Sequence, residues 1–180
     1  ADGAERFRQL TNAPVRALAP QYCAGAEQLT DGEVIAVDGV TPQLKVVATP
    51  GHTSDSVCFY VYPGDPDSTE LEGIITGDTI AGRHTTMISE TDGDLGKYLD
   101  SLELLEEQGK DIPLLPGHGP FVADAAGVVA WYRQHRAQRL EQVAAAAGEA
   151  ALERVAEAGV DLADVFAVLE REGVDVSGVK

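Results

Sequence analysis

Cysteine, methionine, tryptophan and basic residues are all scarce in this chain. It has two, one and one of the first three, and 13 basic residues against 30 acidic ones. Each scarcity removes a class of protein. Cys23 and Cys58 form no Cys-x-x-Cys, so a disulfide scaffold and a zinc ribbon are excluded. Two free thiols in a reducing cytosol are expected, and with them a cytoplasmic protein. A formal net charge of -17 repels nucleic acid and anionic membrane at long range, so strong nucleic-acid binding is not expected. No apolar run reaches the ~18 residues of a membrane span.

What is present is an ordinary globular chain. Its 180 residues, 44% of them hydrophobic, suffice for one domain or one domain with a small appendage. Three stretches stand out. Val46-Val47-Ala48-Thr49 runs into Pro50-Gly51-His52-Thr53. Ile74-Ile75-Thr76 runs into Gly77-Asp78. Leu114-Leu115 runs into Pro116-Gly117-His118-Gly119. Three times an apolar strand is broken by glycine and followed at once by an imidazole or a carboxylate.

The rest of the pattern fits around these breaks. Glu5 to Leu10 reads as a short helix, ended by Asn12-Ala13-Pro14. Val15 to Leu18 reads as a strand and Pro20 to Gln28 as a loop. Glu33 to Val37 is strand-like, with Asp38-Gly39 placed to start a hairpin. Val57 to Tyr62 is the most strand-like stretch, rich in aromatic and β-branched residues. Pro63 to Glu70 is a polar turn and Ala81 to Gly93 a loop. Asp94 is placed to cap a helix over Leu95 to Gln108, where Leu95, Leu99, Leu102 and Leu105 have helical spacing, and Gly109 is placed to stop it. Ile112 to Leu115 is the last strand. From Asp124 onward the composition is that of helices alone, with Gly148, Gly159 and Gly173 as breaks. Short, mostly adjacent strands with few helices between them predict a mixed or antiparallel sheet with helices outside.

His52, Asp78 and His118 are donors suited to zinc, iron or manganese. A glycine before each lets the backbone turn sharply and approach a metal closely. A carboxylate between two such histidines suits a two-metal site, which activates water for hydrolysis.

The series Thr-Pro-Gly-His-Thr at 49–53, Thr-Gly-Asp-Thr at 76–79 and Leu-Pro-Gly-His-Gly-Pro at 115–120 resembles the metallo-β-lactamase superfamily of hydrolases. It is most similar to the branch with the β-lactamase-like protein 2 endoribonucleases. The resemblance covers residues 1 to 140. It implies an α/β fold, the αββα metallo-β-lactamase sandwich, with its site at one edge of the two sheets. It further implies His52 as a ligand of a first metal, Asp78 as a bridging carboxylate and His118 as a ligand of a second, the metals being two zinc ions, or iron or manganese.

One departure from the family is large. The principal motif, His-x-His-x-Asp-His, is absent, since the four histidines are His52, His84, His118 and His135. Ala1-Asp2-Gly3-Ala4 and the helix after it look like the continuation of that motif. The expectation is therefore an N-terminally truncated enzyme, with a natural short protein that has lost its site as the alternative. The further ligands and the aspartate that the family uses as general base are missing, so this chain is expected to be a weak or inactive hydrolase. The domains expected are an incomplete metallo-β-lactamase-like domain at 1–140 and a helical, partly winged-helix-like appendage at 141–180.

Further candidates for substrate binding are Arg83 and His84, six residues or fewer past Asp78, and Arg133, His135 and Arg136 on the last long helix. With Arg139 these last form the densest basic stripe of an acidic chain. The bland readings are a solvated loop and a solvated helix face. Trp131 and Tyr132 are read as packing residues. The function expected of the intact form is metal-dependent hydrolysis of an ester-type bond, in RNA or in a small thioester or lactone. The alternative is a non-catalytic remnant serving as a binding or oligomerisation module. A homodimer is the partner state considered, because a truncated sheet exposes apolar surface.

Overall fold

The computed structural model describes residues 2–64, 70–108 and 111–147. Its elements, in order, are α1 (Asp2–Thr11), β1 (Val34–Val37), β2 (Val40–Ala48), β3 (Val57–Tyr62), β4 (Gly73–Gly77), α2 (Leu95–Glu106), β5 (Leu114–Pro116) and α3 (Ala125–Ala147). The five strands form one mixed sheet in the order β1-β2-β3-β4-β5. The first three pairings are antiparallel, and β5 joins β4 in parallel. Antiparallel neighbours need only turns between them. The parallel pair needs a crossover, and α2 lies within it. The chain separates into two compact units, Ala1–Ala126 and Gly127–Lys180.

The expected hairpin forms at Asp38-Gly39, with Val37 opposite Val40 and Gly39 at φ +75. This is a left-handed turn that glycine adopts without cost. In β3 side chains alternate strictly: Cys58, Tyr60 and Tyr62 are buried, while Val57, Phe59 and Val61 are half-buried. Across the ladder Ile74 and Leu114 extend the buried side. The other side continues through Val46, Phe59, Ile75 and Leu115, all apolar, and of these four Val46 alone is fully buried.

α2 starts where the sequence predicts. The Asp94 carboxylate accepts from Lys97 N at 2.9 Å, a standard N-cap. Tyr98, Leu99, Leu102 and Leu105 are fully buried along one stripe of it. Two further side chains tie α2 to the strand ends. The Tyr98 hydroxyl donates to the Thr79 carbonyl at 2.8 Å, and the Ser101 hydroxyl donates to the Pro50 carbonyl at 2.8 Å.

Val15 to Leu18 departs from expectation. It makes only an isolated bridge, Val15 with Ala24. The groups that a longer ladder would use are engaged elsewhere. Ala17 N donates to Cys23 Sγ, and the Ala17 carbonyl accepts from Leu29 N. The Arg16 guanidinium donates to the Glu27 and Gln28 carbonyls and forks onto Glu33 at 2.6 and 3.0 Å. In α3, Val129 and Tyr132 are buried, whereas Trp131 is 48% exposed. Packing is thus the role of Tyr132 but not of the whole Trp131 ring. Gly109, the expected breaks at Gly148, Gly159 and Gly173, and all of the appendage expected at 141–180 beyond residue 147 lie outside the described residues, residues 141–147 being the end of α3.

Candidate metal centre

The three strand breaks fold to one place. Asp78 lies between the two imidazoles, its Oδ2 3.8 Å from His52 Nε2 and its Oδ1 3.5 Å from His118 Nε2. Thus one carboxylate serves two histidines, one through each oxygen.

Local backbone geometry explains the convergence. Gly51 has φ +137, and a Cβ there would stand 2.3 Å from Tyr98 Cα. Only glycine lets the chain turn this close to α2 before His52. Gly77, at φ +51, turns β4 out into Asp78. Gly117 lies so near that a Cβ would stand 3.1 Å from Asp78 Oδ1, and its N–H donates to the Gly77 carbonyl at 2.8 Å. The loop with His118 is closed at its base, where Leu114 and Val122 exchange both backbone hydrogen bonds, at 2.7 and 3.0 Å.

Behind the site lies a buried polar layer. The Thr49 and Thr79 hydroxyls are 3.0 Å apart, and Thr49 Oγ1 is 3.4 Å from Cys58 Sγ. The Thr76 hydroxyl donates to the Ile80 carbonyl at 2.9 Å. These bonds satisfy groups whose burial would otherwise be costly. Burial pushes the Cys58 thiol up to about 11, with the Thr49 and Thr79 hydroxyls acting weakly the other way.

The loop from 81 to 94 wraps the front. Ser89 N donates to the His52 carbonyl and Asp94 N to the Gly51 carbonyl. Asp92 receives Ser54 N at 3.1 Å, and hydrogen bonds from Ser54 hold its carboxyl below the usual aspartate range. The Met87 carbonyl meets His52 Nδ1. A carbonyl only accepts, so Nδ1 carries a proton, and Nε2 is the ring nitrogen left to face Asp78. Fixing one ring nitrogen in this way is how proteins aim the other at a metal.

The donor chemistry therefore fits a metal. At 3.5 and 3.8 Å the pairs are too far apart for direct hydrogen bonds. Two donors across one tetrahedral ion, with bonds near 2.1 Å, stand about 3.4 Å apart. Among the described residues no group of three or more His, Cys, Asp or Glu side chains closes round one metal position. Asp78 is the residue that the two histidines have in common.

The other sequence candidates fall into two sets. Arg83 and His84 line a cavity of about 370 Å³ together with Ala81, His118 and Gly119, beside the three donors. A larger cavity, of about 570 Å³, is lined by Val15, Tyr22, Cys23 and Asp55 and includes none of the donors. Arg133, His135, Arg136 and Arg139 lie on α3 in the second unit, where His135 stacks at 5.6 Å on Trp131. The three arginines are already engaged by neighbouring groups. The orienting roles of Met87, Ser89, Asp92, Thr49, Thr79 and Tyr98 were not foreseen from sequence. Met87 acts through its backbone, which no side-chain pattern reveals. Asp92 and Asp94, by contrast, follow the acidic-turn signal that precedes a helix.

The mixed sheet, its flanking helices and the histidine–aspartate–histidine strand ends define an α/β fold of the metallo-β-lactamase type, and the chain belongs to that superfamily. It is similar to the atrochrysone carboxyl ACP thioesterase of Aspergillus chevalieri, 34% identical over 125 residues, which are 69% of this chain and 36% of that one. It is also similar to the β-lactamase-like protein 2 homolog of Caenorhabditis elegans, 34% identical over 63% of this chain and 34% of that one. Among solved structures, a metallo-β-lactamase family protein of Thermus thermophilus matches with a TM-score of 0.57 at 25% identity, over 68% of this chain and 38% of that one. The chain spans about a third of the length of the curated relatives it matches. No family model matches it. No helix among the described residues is long and apolar enough to cross a membrane.

Proposed function

We propose that this chain carries half of the metal centre of a hydrolase acting on a small thioester. The observation that carries the reading is Asp78 presenting one oxygen to each of two histidines, at 3.8 and 3.5 Å. His52 with Asp78, and His118 with Asp78, would each hold one ion, zinc being the expected metal and iron or manganese the alternatives. Bound metal there supplies Lewis acidity toward a carbonyl oxygen and toward water. The residues of this chain do the positioning. The Met87 carbonyl fixes the His52 tautomer, and the Gly117–Gly77 hydrogen bond holds the His118 loop against Asp78. The thioester is favoured over a phosphodiester of RNA because a relative at 34% identity is named a thioesterase. The net charge of -17 also disfavours a long polyanion. A reducing, cytoplasmic setting suits the two free cysteines.

Three protein donors split between two half-sites bind metal weakly, so turnover by this chain alone is expected to be slow. Calorimetric titration with zinc and manganese, together with an acyl-thioester hydrolysis assay, tests the reading. Asp78→Asn should abolish binding at both half-sites, and His118→Ala at one. Undiminished metal binding by Asp78→Asn would overturn it.

A further inference from the structure

The cavity beside the donors has a chemistry unlike the rest of this chain. Arg83, His84 and His118 line it with Ala81 and Gly119, and among the described residues no carboxylate does. Acids outnumber bases 30 to 13 in the sequence, so a cationic cavity wall without a carboxylate runs against the composition. Of the other arginines of the first unit, Arg8 meets Glu5 at 3.1 Å and Arg16 meets Glu33 at 2.6 Å, while Arg6, on the exposed N-terminal helix, makes no ion pair among the described residues. Among the described residues the Arg83 guanidinium has no ion-pair partner, and Arg83 is an exposed residue of the cavity wall.

The walls of the cavity are fixed in place. Gly82 N donates to the His118 carbonyl at 2.8 Å, which ties the Arg83 loop to the His118 loop. A Cβ at Gly82 would stand 2.0 Å from the Pro120 carbonyl oxygen. A Cβ at Gly119, whose φ is +88, would stand 3.1 Å from Gly82 Cα. The two loops meet backbone to backbone, and glycine on both sides permits it. The basic groups therefore sit on a stitched pair of loops, not on a free tip.

We infer that this cavity is an oxyanion subsite, in which Arg83 binds a carboxylate or phosphate group of the substrate, with His84 as a second donor. A planar guanidinium pairs with such an oxyanion through two parallel hydrogen bonds. The subsite adjoins Asp78 and His118, so the anionic group it holds lies on the part of the substrate next to the bond cleaved. Its role in substrate recognition rests on the hydrolase reading above, whereas its capacity to bind an oxyanion does not. The substrate class that follows is a thioester with an acidic group close to the reacting carbonyl.

Titration of the metal-free 180-residue chain tests this independently of the metal centre. Inorganic phosphate and acetate are added in separate series, with sodium chloride at equal ionic strength as control, and the Arg83 and His84 resonances are followed by NMR. Saturable shifts with one of the oxyanions and not with chloride are expected, and the anion that saturates identifies which group the subsite takes. Arg83→Gln should weaken that binding by about tenfold or more, and Arg83→Lys by less. Arg83 is exposed, so both variants should keep the parent melting temperature. Shifts no larger than those with chloride, or equal affinity in Arg83→Gln, would overturn the subsite and leave the metal reading standing. Loss of the metal reading would likewise leave a positive titration intact.

Discussion

The Thr49 and Thr79 hydroxyls stand 3.0 Å apart in a fully buried position, joining the loop that carries His52 to the loop that carries Asp78. Replacing either by valine keeps the shape and leaves the other hydroxyl only its weak sulfur contact with Cys58. Thr79→Val should cost about 1 kcal/mol of stability, the usual net worth of one hydrogen bond. Thr49→Val with Thr79→Val should cost less than the sum of the two single changes. Urea denaturation of the single and double variants measures this coupling, and strict additivity would show that the two hydroxyls act separately.

Gly51 has no tolerated substitute. Gly51→Ala places a Cβ within 2.5 Å of three Tyr98 atoms, at a φ that an L-residue rarely adopts. A loss of about 3 kcal/mol or more is expected. His52 would also shift away from Asp78, so metal affinity should fall in whatever fraction stays folded. Equal melting points for the parent and Gly51→Ala would refute the close approach.

Much of this architecture was readable beforehand, and the reason is local. β3 alternates buried and half-buried side chains, and α2 has leucine at helical spacing behind an aspartate cap, so each carries its own period. The three glycine breaks stood out for the same reason, because each follows an apolar strand directly. Val15 to Leu18 misled because its β propensity was outweighed by tertiary partners. The Arg16 side chain and Cys23 Sγ take up the surroundings of that backbone from six to seventeen residues away. The orienting shell of His52 was hidden because it consists of backbone groups of Met87 and Ser89, 35 and 37 positions distant (87 − 52 and 89 − 52).

The two thiols should differ in reactivity. Burial raises Cys58 to about 11 and removes it from solvent, whereas Cys23 is only half-buried. At pH 8 in the folded chain, a disulfide reagent should modify Cys23 and leave Cys58 untouched until denaturant is added, since the thiolate is the nucleophile. Two equally fast thiols would indicate that the layer behind the site opens readily.

Acid should loosen the front loop through Asp92. Hydrogen bonds from Ser54 lower its carboxyl in the folded state. A lowered acid contributes stability that is present above its unfolded value, about 3.9, and that is lost as pH falls through the folded one. The melting-point difference between the parent and Asp92→Asn should therefore be full at pH 6 and shrink below about pH 4. A difference independent of pH between 6 and 3 would show that Asp92 acts by shape alone.

The single parallel pairing in the sheet gives the site a history. β2, β3 and β4 follow one another and pair through short connections, so the ends that carry His52 and Asp78 meet by local zipping. β5 must instead close a loop containing all of α2 before Leu114 can pair with Ile74. Longer closures cost more entropy and come later. On refolding, amides of β3 should gain exchange protection before those of β5, as pulse labelling would reveal. His118 is then the last donor delivered, so a metal present during refolding meets two donors first and the third only when the crossover closes.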